Sequence, residues 1–192
     1  VGEQFASLGH QHNAALDAAQ WNALLARSAA PTPFMRHEYL DALHACGSAT
    51  RATGWTPCFV GIFAHPGAEA PLVAACPLYF KDHSYGEYVF DWAWADAYQR
   101  HGLAYYPKLL CAVPFTPVPG SRLLVRDASL RPILLAAIEQ LARESCASSI
   151  HLLFQDEADQ RSASDAGWMP RSTVQFHWTN RDYSCFEDFL RT

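Results

Sequence analysis

The sequence predicts an α/β (α+β) fold, a mixed and mostly antiparallel central sheet flanked by helices. Three observations carry that prediction. Apolar residues recur at helical spacing near the start, two apolar runs flank a short turn in the manner of a hairpin, and strand and helix patterns then alternate. Half of the 192 residues are hydrophobic and 17% are charged, which supplies a substantial core and excludes a disordered chain.

Asn13 is placed to cap a helix over 13–27, with Leu16, Trp21, Leu24 and Leu25 on one face. A second helix follows Pro33, carries Tyr39, Leu40 and Leu43, and stops at Gly47. Residues 58–63 and 72–80 read as two strands joined through His65-Pro66-Gly67. Further strands are expected over 88–91 and 108–113, with a short helix over 93–100 between them. Asp127 or Ser129 opens the clearest helix, in which Leu130, Leu134, Ile138 and Leu141 follow one face. Residues 150–154 read as a buried strand, 156–166 as a polar helix and 172–178 as a final strand.

A formal charge of −5 argues against a broad phosphate-binding surface. No apolar run approaches the roughly 18 residues of a membrane-spanning helix, and no signal peptide is expected. Six cysteines include no C-x-x-C pair, and Cys58, Cys76 and Cys111 fall inside apolar runs. They read as reduced core residues of a cytoplasmic protein. Nucleophile-elbow, P-loop and dinucleotide-binding motifs are absent from the sequence. His10 and His12 could share a face but have no third ligand, so no metal site is expected.

The most informative stretch is 86–122, GEYVFDWAWADAYQRHGLAYYPKLLCAVPFTPVPGSR. Its acids and bases lie among aromatic rings, the composition of a binding cleft for a polar ligand. Within it and around it, KDHSYGEYVFDWAWADAYQRHG (81–102), YYPKLLCAVPFTPVPGSRLL (105–124) and QFHWTNRDYSCFEDFL (175–190) resemble the FemAB-like family of N-acyltransferases. A weaker likeness opens at Pro33-Phe34-Met35-Arg36-His37. The family is related to peptidoglycan bridge-forming enzymes. The resemblance implies a GNAT-type acyltransferase scaffold and transfer of an acyl or aminoacyl group to a small-molecule or peptide amine, such as a peptidoglycan precursor. The donor would be an acyl-CoA or an aminoacyl-tRNA, with no tightly bound cofactor.

Acyl transfer to an amine needs a proton acceptor, oxyanion donors and an acid for the leaving group. Glu87 is the first candidate base because neighbouring Tyr85, Tyr88 and Phe90 could desolvate it; Asp91 and Asp96 are alternatives. Tyr105 or Tyr106 could protonate a leaving group, and Lys108 and Arg122 could clamp a carboxylate or phosphate. Trp92, Trp94 and Tyr98 are expected to wall the cleft. Gln175 and His177 alternate on the predicted last strand and would share one face. For every one of these residues an ordinary packing, capping or ion-pairing role is the competing reading. Gln99-Arg100-His101-Gly102-Leu103-Ala104 matches the letters of a CoA pyrophosphate loop, yet extended chain follows it where a helix is needed.

Ser184-Cys185-Phe186-Glu187 reads as a capping box that opens a helix at the end of the chain. With the resemblance, it implies a first GNAT-like domain over 1–183 and, over 184–192, a helix leading to a second, acyltransferase-like half that would contact an aminoacyl-tRNA. On that expectation this chain is inactive alone. The alternative is a non-catalytic half that recognises the acceptor.

Overall fold

Alternation along one long hairpin organises the molecule, which is a computed structural model describing residues 16–67, 70–89 and 91–191. Strands β1 (Trp55–Pro57) and β2 (Val60–Phe63) form one limb, and β3 (Leu72–Cys76) and β4 (Tyr79–Lys81) form the other. The antiparallel pairing keeps one register from Trp55↔Lys81 to Val60↔Cys76, bridged by the Cys58 N–H donating to the Leu78 carbonyl at 2.8 Å. Beyond this hairpin the second limb acquires two different neighbours. Strand β5 (Lys108–Cys111) adds antiparallel to β4, and β6 (Leu124–Val125) adds antiparallel to β3. Strand β7 (Ile150–Leu152) then joins β5 in parallel. The expected single sheet is thus two mostly antiparallel sheets, β1-β4-β5-β7 and β2-β3-β6, that share the hairpin.

The period of two sends neighbouring residues to opposite cores. Leu109, Ala74 and Leu123 pack under α4 (Arg131–Glu144) through Leu134, Ile138 and Leu141, with Ala163 of α5 (Glu157–Asp165) joining them. Leu110, Ala75 and Leu124 pack instead with Trp21, Leu24 and Leu25 of α1 (Ala18–Ala26) and Leu40 of α2 (His37–Ala45). The Trp21 indole N–H donates to the Met35 carbonyl at 2.8 Å, which satisfies the one polar group that this fully buried ring carries. Cys58, Cys76 and Cys111 are buried free thiols within the first core.

Several expected boundaries shift. Asp17 caps α1 by accepting the Gln20 N–H at 2.8 Å, while Asn13, His10 and His12 lie outside the described residues. A helix α3 (Trp92–Arg100) forms as expected, but 88–91 is not a strand: Tyr88 has φ 57, which breaks an extended path, and Phe90 lies outside the described residues. The expected strand over 172–178 is also absent. Those residues alternate correctly but find no ladder partner, and Val174, Phe176 and Trp178 stay exposed. The last helix, α6 (Phe186–Leu190), is capped at Cys185 without a side-chain bond, and Ser184 pairs with Asp188 rather than closing a capping box. No helix among the described residues is long and apolar enough to cross a membrane.

Gly86 anchors the loop after β4. Its φ is +79, and an added Cβ would lie 2.5 Å from the Phe115 ring, which packs on Trp55 with centroids 5.4 Å apart. Gly86→Ala therefore combines backbone strain with displacement of a packed ring, and is expected to cost at least about 1 kcal/mol in urea unfolding. An unchanged denaturation midpoint would contradict this placement of the loop.

Candidate functional site

Strands β4 and β5 end side by side, so Lys81 and Lys108 are direct cross-strand partners. Both are fully buried. Two adjacent buried cations require counter-charges, and the loop over 82–91 supplies them. The Lys108 ammonium donates to Glu87 Oε2 at 2.9 Å, Asp91 Oδ2 at 2.5 Å and Ser84 Oγ at 2.8 Å. An ammonium has three protons, and all three are used. Lys81 Nζ lies 3.7 Å over the Trp55 ring and donates to the Tyr85 carbonyl at 3.3 Å. Asp91 Oδ2 also accepts the Ser84 hydroxyl and the Tyr105 phenol, each at 2.8 Å. Behind Tyr105 on β7, His151 Nε2 lies 3.5 Å from the phenol oxygen and 3.0 Å from Ser149 Oγ.

The environment separates the two carboxylates. Burial pushes the Glu87 carboxyl up, against the pull of Lys108 and Lys81, and its Oε1 has no hydrogen-bond partner. Burial also acts on Asp91, but hydrogen bonds from Lys108, Tyr105 and Ser84 outweigh it and hold that carboxyl below its ordinary value. Burial brings Lys81 down to about 8, with Glu87 opposing the shift. Burial and the Lys108 charge bring His151 down to about 4, so its ring is neutral at pH 7. Burial and Asp91 raise Tyr105, which keeps its proton and donates it.

This network forms the floor of a cleft of about 740 Å³. Asp91 and Tyr105 are buried at its base, while Tyr85 and Trp92 are exposed at its mouth. Asp96 and Gln99 of α3 contribute to the wall, and none of the lining residues is Lys or Arg. Residues 99–104 pass along the C-terminal end of α3. The Gly102 and Leu103 amides donate to the Gln99 and Tyr98 carbonyls at 3.0 and 2.9 Å. These two amides of the pyrophosphate-loop pattern are therefore spent, at the helix end whose dipole is negative.

Among the sequence candidates, Glu87, Tyr105 and Lys108 converge, with Tyr106 and Trp92 lining the same cleft. Lys108 stands behind the floor and reaches no ligand, and Glu87 stands beside it, so Asp91 is the carboxylate that the network presents to the cleft. Asp96 pairs with Arg100 on the exposed side of α3. Tyr98 packs edge-on against Tyr105 with centroids 5.1 Å apart, and Trp94 packs under Arg171. Arg122 lies elsewhere: it is fully buried, donates to the Gly120 and Val118 carbonyls, and sits beside Asp159, which accepts its backbone N–H at 2.6 Å. Gln175 donates to the Pro117 carbonyl at 2.8 Å and His177 contacts Gln175, both exposed and outside the cleft lining. Sequence reasoning missed Lys81, Ser84 and His151. A lysine at the end of an apolar strand and a histidine inside another were the available signals.

Lys108→Met leaves Glu87 and Asp91 buried without their shared cation. Removing one partner from a buried ion cluster costs about 3–5 kcal/mol, and denaturant unfolding should show a loss of that size. A loss below about 1 kcal/mol would mean that the carboxylates are hydrated.

The chain matches the FemAB-like family, described as peptidoglycan biosynthesis/recognition, over residues 12–192. No curated protein and no solved structure matches it. With the match running through the hairpin, both cores and every residue of the buried network, the chain belongs to the FemAB-like family of peptidoglycan biosynthesis and recognition.

Proposed function

We propose that the chain is an N-acyltransferase component that holds an amine acceptor, such as a peptidoglycan precursor, in the cleft above Asp91 while an acyl or aminoacyl group is transferred to it. The observation that carries this reading is Asp91 itself. Three donors fix its Oδ2 and keep the group ionised, while none of those bonds falls on Oδ1. In the reaction the amine nitrogen attacks the donor carbonyl, a C–N bond forms, and the C–S bond of an acyl-CoA or the C–O ester bond of an aminoacyl-tRNA breaks. The bound ammonium first loses a proton to water and attacks as the free amine; its nitrogen becomes acidic as it bonds to carbon, so a carboxylate of low pKa suffices to take the second proton. Asp91 then returns that proton to the departing thiolate or alkoxide. Glu87 balances the charge of Lys108 and Lys81, and the rings of Tyr106, Trp92 and Tyr85 bound the acceptor's position.

The position of residues 99–104 supports a second reading: this half recognises the acceptor, and a second acyltransferase-like half, on the same GNAT-type plan, carries the donor. Calorimetric titration separates the two. Tight CoA binding that is lost on Gly102→Ala supports donor binding here, whereas muropeptide binding alone supports the recognition role.

In a longer chain that turns over, Asp91→Asn is expected to lower kcat by about 10²–10⁴-fold, the usual contribution of a positioned acid–base group. Turnover within a few-fold of the unaltered protein removes Asp91 from the chemistry.

A further inference from the structure

Resting on the reading that this cleft holds the acceptor, the hydrogen bonds at its floor fix which way each proton points. Ser84 has one hydroxyl proton, and it goes to Asp91 Oδ2 at 2.8 Å. Its oxygen already receives a proton from Lys108 at 2.8 Å. The 2.8 Å contact between Ser84 Oγ and the Tyr106 phenol oxygen therefore needs the phenol to donate. Tyr105 likewise spends its proton on Asp91 at 2.8 Å. Lys108 has no proton left. The floor thus turns its lone pairs outward, through Tyr106 Oη and Asp91 Oδ1, and its donors inward. Other side-chain donors of the lining stand away from that floor, on half-buried His83, whose Nδ1 accepts the Tyr85 N–H, and on exposed residues of the wall and mouth such as Gln99 and Trp92.

We propose that Ser84 sets this hydrogen-bond polarity and so determines specificity: the cleft selects ligands that bring N–H donors, protonated primary amines, over ligands that bring acceptors, carboxylates and phosphates. Ser84 acts by position, through Tyr106 and Asp91. An acceptor-bearing ligand would face two acceptors with no proton between them, and unpaired groups of this kind are how sites reject near-isosteres. Without the Ser84 oxygen, the Tyr106 phenol loses its inward acceptor and its proton becomes available to the cleft.

The probes are n-pentylammonium and pentanoate, a cation and an anion of matched length, with inorganic pyrophosphate as a third ligand. Their affinities are measured by calorimetry at pH 7 on the chain as it stands. Pentylammonium is expected to bind at least tenfold more tightly than pentanoate, with pyrophosphate weaker still. Ser84→Ala, a small change at a half-buried site, should shrink the cation-to-anion ratio at least fivefold. Tyr106→Phe should remove most of the effect of Ser84→Ala, so the two substitutions are non-additive in a double-mutant cycle. A merely structural serine would lower both affinities together and combine additively with Tyr106→Phe. Equal binding of the two ions, tighter pyrophosphate, an unchanged ratio in Ser84→Ala or an additive cycle each overturns the proposal. Selective pentylammonium binding here, together with a longer chain that transfers no acyl group from either donor, supports this inference and removes the transferase reading instead.

Discussion

Three protons on one buried ammonium constrain this end of the molecule. Lys108 is placed in the interior by its register on β5, opposite Lys81, and neither head group reaches water. A cation in that position is tolerable only if every N–H finds an acceptor and its charge is matched. The loop over 82–91 meets both demands by delivering a hydroxyl and two carboxylates within hydrogen-bond reach. Its left-handed turn at Gly86 and the start of α3 just after Asp91 follow from that delivery. Two lysines and two acids make the cluster polarised, with the lysines inside and Asp91 at the cleft.

A second buried ionic cluster shows why burial of charge does not by itself make a site. Asp159 of α5 is fully buried and accepts the backbone N–H groups of Arg122 and Leu123 together with the Arg131 guanidinium at 3.0 Å. Its hydrogen bonds tie the approach to β6 onto α4 and α5, and it lies apart from the cleft lining. The Asp91 cluster differs in its geometry. One side of its carboxylate is saturated by the protein, and the other belongs to a cleft with aromatic residues at the mouth.

The helices and the hairpin were legible because their apolar periods are strong and their stops are explicit, as at Gly47 and His65-Pro66-Gly67. The aromatic stretch was legible as a cleft, and Glu87, Tyr105 and Lys108 do meet. What the sequence could not show was which group faces the ligand. Lys108 and Arg122 look alike as charges, yet one is enclosed by carboxylates and the other by backbone carbonyls. Asp91 and Glu87 are four residues apart, and only three-dimensional enclosure decides that Asp91 reaches the cleft. Ser84 carried no signal, because a serine near a tyrosine is ordinary in any loop. The expected strand over 172–178 failed for a different reason: alternation specifies which face a strand would bury, and not whether a partner strand lies beside it.

Polarisation of the Lys108 cluster toward Asp91 makes a direct demand on proton binding. A carboxyl whose native pKa lies below its unfolded one stabilises the fold above the unfolded value, and that contribution is lost as pH falls through the native value. The carboxyl-carbon NMR signal of Asp91, assigned by comparison with Asp91→Asn and followed from neutral to acid pH, reads this property at the atom concerned. The account predicts a midpoint below the ordinary aspartate value of about 3.9. A midpoint at or above that value would show that Lys108, Tyr105 and Ser84 do not hold Asp91 ionised, and the site built on it would fall.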